Sequence, residues 1–119
     1  MEPFEAAKLA VKALDDKQGA DIRLLKTEDL TVLADYFIIC TANSTSHVRT
    51  LYDEVDKRLS MEGMAPIRRE GNRNSSWLLL DFGSLIVHIF QKDTREFYNL
   101  ERLWSDAQQI DIEEIVKEA

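Results

Sequence analysis

WLLLDFGSLIVHIF, residues 77–90, decides the fold. Two apolar runs of strand length flank Asp81-Phe82-Gly83-Ser84, and Gly83 can take the positive φ that a tight hairpin loop requires. A three-residue loop would place Trp77, Leu79, Asp81, Leu85, Val87 and Ile89 on one face, and Leu78, Leu80, Phe82, Ile86, His88 and Phe90 on the other. Both faces are mostly apolar. The hairpin therefore belongs inside a sheet that is covered on both sides.

Directly after it, KDTREFYNLERLW (residues 92–104) has the pattern of a helix. Asp93 can cap its start, and Glu96, three residues on, can complete a capping box. Phe97, Leu100, Leu103 and Trp104 recur at helical spacing and are expected to pack. Tyr98 lies about 100° round the helix from Phe97, which leaves it as a candidate contact residue.

Working outward, YFIICT (residues 36–41) is almost continuously apolar and predicts a central strand with Cys40 buried. Residues 42–46, Ala-Asn-Ser-Thr-Ser, supply cap chemistry for a long helix whose Val48, Leu51, Val55 and Leu59 face the sheet before Gly63 stops it. With a strand over residues 65–69, this makes a βαβ crossover. Upstream, Pro3 suits a first helical turn, and Phe4, Ala7, Val11 and Leu14 form a stripe until Gly19, which is expected to end the helix in a left-handed conformation. Residues 22–26 predict a strand, residues 27–35 a loop or irregular turn, and residues 71–76 a surface loop. The sequence has no internal repeat. The expected organisation is one domain over residues 1–107 and a short acidic C-terminal tail, 108–119, in which Asp111 and Glu114 can cap a short helix burying Ile112, Ile115 and Val116 only weakly.

A length of 119 residues with 45% hydrophobic and 31% charged side chains fits one globular domain. No apolar run approaches membrane-spanning length, and the start, MEPFEAAKLAVKAL, carries acids where a secretory signal would be basic, so a cytoplasmic protein is expected. Cys40 is the only cysteine, which excludes an internal disulfide and a cysteine-based zinc cluster. A net charge of −7 argues against phosphate-driven nucleic-acid binding and favours docking on a basic protein.

Residues 43–46, where a buried strand meets a helix, could offer free N–H groups to a phosphate, but no glycine there allows close approach, so a plain N-cap is favoured. Cys40, His47 and Asp53 have the residue types of a nucleophile, a base and an orienting acid, yet a buried strand cysteine is the simpler reading. His88 either titrates or faces a partner, or is a satisfied half-buried histidine. No strand carries the paired carboxylates of magnesium-assisted nucleotidyl transfer, and Asp81 reads as a turn residue; the two histidines have no metal-ligand spacing. No cofactor or metal is expected. Arg68, Arg69 and Arg73 form a basic edge that reads as a solvated one, suited at most to a secondary contact with nucleic acid.

The motifs ADYFIICTANSTSHV, PIRREG, WLLLDFGSLIVHIF and TREFYNLERLWSDA, in this order across residues 34–107, resemble the ribosomal silencing factor, or Iojap-like, family. The resemblance implies an α/β domain with a mixed sheet of about five strands and helices on both faces, nucleotidyltransferase-like without the catalytic acids. It further implies a non-enzyme that docks on a large-subunit ribosomal protein, number fourteen in the bacterial naming. There it would block joining of the ribosomal subunits and repress translation under nutrient limitation. Organellar members would carry basic transit segments, unlike residues 1–17, so a bacterial or processed chain fits better. Carried over position by position, the partner-binding residues are Trp77, His88, Phe90, Tyr98, Leu100 and Glu101. Exposed aromatics of this kind can also meet a second copy of the chain, giving a homodimer in the free state. The alternative is a small nucleotide-binding or nucleotidyl-transferring enzyme that uses the turn after Cys40.

Overall fold

The computed structural model of the chain describes residues 1–30, 33–71 and 75–117. Its elements run α1 (Pro3–Asp16), β1 (Ala20–Lys26), β2 (Tyr36–Ala42), α2 (Thr45–Met61), β3 (Arg68–Glu70), β4 (Trp77–Asp81), β5 (Leu85–Gln91), α3 (Lys92–Tyr98), α4 (Leu100–Leu103), β6 (Gln108–Ile110) and α5 (Glu113–Lys117). The strands form one mixed sheet in the order β3-β4-β5-β2-β1-β6. Only the central pair, β2 and β5, is parallel. These are the two most apolar strands, as burial on both faces requires.

Alternation within the strands sorts the core into two layers. Leu24, Ile38, Cys40, Leu80, Leu85, Val87 and Ile89 meet α1, α2 and α5 on one face. Leu25, Phe37, Ile39, Leu79, Ile86 and Phe90 meet Leu100 and Trp104 on the other. That second cover comes from two short helices, and Phe37, Trp77, Phe90, Tyr98 and Trp104 collect there.

Six strands replace the expected five, and the extra one lies in residues 108–119. β6 pairs antiparallel with the edge of β1, and Ile115 of α5 is buried against the first core layer. The Asp111 carboxylate accepts the Glu113 N–H at 2.9 Å, the role expected of a cap. The crossover also differs. β3 lies at the sheet edge beside β4, because the β4–β5 hairpin is inserted between β3 and β2.

The hairpin turn is one residue shorter than expected. Asp81 pairs with Ile86, and the Phe82 N–H donates to the Leu85 carbonyl at 2.8 Å, which leaves Gly83-Ser84 as a two-residue turn. Gly83 has φ +89°, the positive value needed at the first turn position. Leu85, Val87 and Ile89 consequently join Leu78 and Leu80, while Ile86, His88 and Phe90 join Trp77 and Leu79. Both expected faces are thereby exchanged along β5.

At the end of α1 the left-handed residue is Gln18, φ +65°, and not Gly19. Glycine is needed at position 19 for a different reason: a Cβ there would lie 2.5 Å from the Cys40 sulfur and 3.0 Å from the Leu14 carbonyl oxygen. α2 follows the expected plan, with Ser44 as N-cap, Val48, Leu51, Val55 and Leu59 buried, and Gly63 just past its end.

The helix expected over residues 92–104 is broken. α3 starts directly from β5 with Gln91 as its N-cap, so Asp93 lies inside the first turn and caps nothing. Asn99 adopts φ +46°, a left-handed conformation that asparagine tolerates better than most residues, and splits α3 from α4. The break resets the helical phase. Phe97, expected to pack, is 81% exposed, whereas Leu100 and Trp104 do pack on the second core layer. The side chain of Leu103 lies outside the described residues, as do residues 72–74, Arg73 among them, of the loop before β4.

Candidate partner-binding face

The β4–β5 register sets Trp77 opposite Phe90 and Leu79 opposite His88 on the second face of the sheet. The Trp77 indole lies 4.8 Å from the Phe90 ring, near stacking, and its Nε1–H donates to His88 Nδ1 at 3.1 Å. That bond fixes the imidazole: Nδ1 accepts, so the neutral ring carries its proton on Nε2. His88 is 5% exposed, and burial pushes its pKa down from 6.5 to about 4. The rings continue inward from His88 to Phe37 at 5.6 Å and from Phe37 to Trp104 at 4.9 Å.

Outward, α3 lays Tyr98 on Trp77 at 4.7 Å, and Phe97 meets Tyr98 edge-on at 5.1 Å. Tyr98 is 50% exposed. The column of rings thus grades from buried Phe37 to exposed Phe97. Beside it, a cleft of about 620 Å³ is lined by Glu70, Ser76, Trp77, Asp93, Phe97 and Tyr98 among others. Asp93 and Glu96 make no ion pair with the described residues and put carboxylates beside the rings, while Arg102 lines a neighbouring groove with Phe97 and Tyr98.

Of the six residues singled out from the sequence, Trp77, His88, Phe90 and Tyr98 come together in this one column. Their exposures differ. His88 and Phe90 are buried beneath Trp77, so they support the face instead of presenting themselves on it. Leu100 is half-buried on the second core layer. Glu101 turns its carboxylate to Arg95, with Oε1 3.3 Å from Nε. Two residues of the site escaped sequence reasoning: Phe97, because the break at Asn99 was not foreseen, and Arg95, whose burial no periodicity signals.

The sites considered for catalysis have other occupations. At the start of α2 the Ser44 hydroxyl accepts the His47 N–H at 3.0 Å, and His47 Nδ1 accepts the Asn43 N–H at 3.0 Å. His47 Nε2 then donates to the Lys17 carbonyl at 2.8 Å. Two of the N–H groups at this junction, those of Asn43 and His47, are thereby taken by the chain's own side chains. Cys40 is buried, its thiol pushed up to about 12 mainly by desolvation, and Asp53 pairs with Arg49 at 3.2 Å. Asp81 accepts the Gly83 N–H at 2.8 Å, as a turn residue does. Among the described residues no group of three or more His, Cys, Asp or Glu side chains is placed to hold a metal ion. None of their helices is long and apolar enough to cross a membrane.

Fold and ring column together define a small mixed-sheet α/β domain that presents an aromatic face flanked by Asp93 and Glu96. Residues 1–119 match the family described as ribosomal silencing factor during starvation. The chain is 38% identical to ribosomal silencing factor RsfS of Halalkalibacterium halodurans, over 98% of this chain and 99% of that one. It is 40% identical to RsfS of Bacillus subtilis, over 89% and 90%. A crystal structure of a Chromobacterium violaceum protein superposes with a TM-score of 0.86 at 35% identity, covering 93% and 92%. The chain belongs to the ribosomal silencing factor family, whose names tie it to regulation of translation. Those names describe regulators, not enzymes.

Proposed function

We propose that this chain represses translation by docking its aromatic face on the large ribosomal subunit, through the ribosomal protein numbered fourteen in bacteria, and so excluding the small subunit. The observation that carries this reading is the pair Phe97 and Tyr98, two adjacent exposed rings with Tyr98 backed by Trp77. An aromatic held from behind loses little freedom on binding, which is what makes such side chains effective interface anchors. Asp93 and Glu96 beside them, on a chain of net charge −7, complement a basic ribosomal protein and repel bare RNA. A relative in Mus musculus, 30% identical over 82% of this chain, is named for mitochondrial assembly of the ribosomal large subunit. Any contact of the Arg68–Arg69 edge with ribosomal RNA is secondary, and the setting is the cytoplasm. While unbound, the same face can close a symmetric pair of chains.

The test is co-sedimentation with purified large subunits, followed by mixing with small subunits on a sucrose gradient without nucleotide. The wild-type chain pellets with large subunits and lowers the yield of joined ribosomes, and Tyr98→Ala loses both effects together, since truncating an interface aromatic commonly costs about 2 kcal/mol or more. Tight binding that leaves subunit joining intact would refute steric exclusion.

A further inference from the structure

Arg95 is the one charged residue that α3 turns inward, and it is 6% exposed. Its guanidinium touches three other elements. Nη1 donates to the Asp21 carbonyl and to Thr41 Oγ1, both at 2.7 Å, reaching β1 and β2. Nε donates to Glu101 Oε1 of α4 at 3.3 Å. Nη2 stands 3.5 Å from Asp21 Oδ2, an ion pair without a hydrogen bond. Asp21 itself sits at φ +45°, where β1 departs from regular pairing with β2, and this turns its carbonyl into position.

What depends on this arrangement is the direction of the aromatic face. α3 has 7 residues and α4 has 4, lengths at which a helix does not hold itself in water. The elbow between them rests on few backbone bonds: Asn99 N–H to the Arg95 carbonyl at 2.8 Å, Arg102 N–H to the Asn99 carbonyl at 3.1 Å, and Trp104 N–H to the Leu100 carbonyl at 3.3 Å. Phe97 and Tyr98 lie between Arg95 and the elbow. A guanidinium bonded to the sheet on one side and to α4 on the other therefore closes a bracket around both rings.

We infer that Glu101 is a positioning residue: it acts through Arg95 to lock the Asn99 elbow, which holds Tyr98 against Trp77, and it does not dock on the partner by its own charge. The carboxylate is already committed to a buried cation, and replacing it by a neutral amide removes one of the two carboxylates paired with Arg95. The inference rests on the reading of the aromatic face as the docking face only for its effect on binding. The lock itself is separately observable.

The experiment is a double-mutant cycle, Glu101→Gln and Arg95→Lys alone and together, read by affinity for purified large subunits and by hydrogen exchange at Asn99, Arg102 and Trp104. Expected for Glu101→Gln are affinity weakened about tenfold, an unchanged salt dependence of the association rate, and faster exchange at the three elbow amides with global unfolding barely moved. The double variant binds no worse than Arg95→Lys alone, because both changes open the same bracket. Factors that multiply in the double variant, or a salt dependence that falls with Glu101→Gln, would identify a direct contact and overturn the inference. Unchanged elbow exchange in Glu101→Gln overturns it as well. Should the wild-type chain fail to bind large subunits, the docking proposal falls, and the exchange data still decide the lock. Glu101 is partly exposed, so its variant folds even if Arg95→Lys does not.

Discussion

Acidification should weaken the fold through His88, and the structure gives the size of the effect. The folded pKa of about 4 lies below the unfolded value of 6.5, so between them the unfolded chain binds a proton that the folded chain refuses. The His88 contribution is therefore fully present above the unfolded value and declines as the pH falls through this window, levelling off once the folded ring also protonates. Each pH unit inside the window costs about 1.4 kcal/mol, so moving from about pH 7 to about pH 5 removes roughly 2 kcal/mol. The assay is urea unfolding at several pH values for the wild-type chain and for His88→Gln, whose amide oxygen can still accept the Trp77 indole N–H. Carboxylates titrate alike in both proteins and cancel in the difference. The wild-type chain should lose stability relative to the variant as the pH drops, whatever their order at neutral pH. A difference that stays flat from pH 7 to pH 5 would show that His88 is not held neutral by burial, and would undo the account of the Trp77 support.

Two further substitutions probe the packing. Phe97→Ser should leave the urea midpoint almost unchanged, because the ring is exposed, while weakening large-subunit binding; a stability loss above about 1 kcal/mol would mean that the ring packs after all. Gly19→Ala should cost about 1–3 kcal/mol by driving a methyl group into the Cys40 sulfur, and Cys40→Ala in the same chain should recover part of it. No recovery would locate the strain at the Leu14 carbonyl instead.

How far the fold was legible depended on what each pattern could encode. β2 and β5 announced themselves as continuous apolar runs, and α2 as a stripe with a cap. The hairpin register did not, for the reason that made the hairpin conspicuous. With both faces apolar, alternation carries no information about which residues share a face, so a loop of two residues and one of three read alike until a tertiary contact such as Trp77 to His88 chooses between them. β6 was missed because three residues, Gln108–Ile110, have no pattern of their own; the open edge of β1 specifies them. The Asn99 break was marked only by the residue type, and a stripe continuing through Leu100 and Trp104 outweighed it.

The site was legible in membership and not in roles. Family resemblance brought six residues together, but resemblance does not distinguish a residue that touches a partner from one that holds the toucher. Exposure and hydrogen bonding suggest the division. In the proposed docking, Trp77 and Tyr98, joined by Phe97, form the face, and His88 and Phe90 carry Trp77 from beneath. Leu100 anchors the segment to the second core layer, and Glu101 braces it through Arg95. Such support belongs under a docking surface, because rings that are free to wander in the unbound chain would have to be ordered at the moment of binding. Arg95 illustrates why the supports are hard to see in a sequence. Its bonds to Asp21 and Thr41 span 74 and 54 residues, distances at which no spacing rule operates. A buried arginine two residues before exposed aromatics becomes intelligible only once the sheet has brought its acceptors to it.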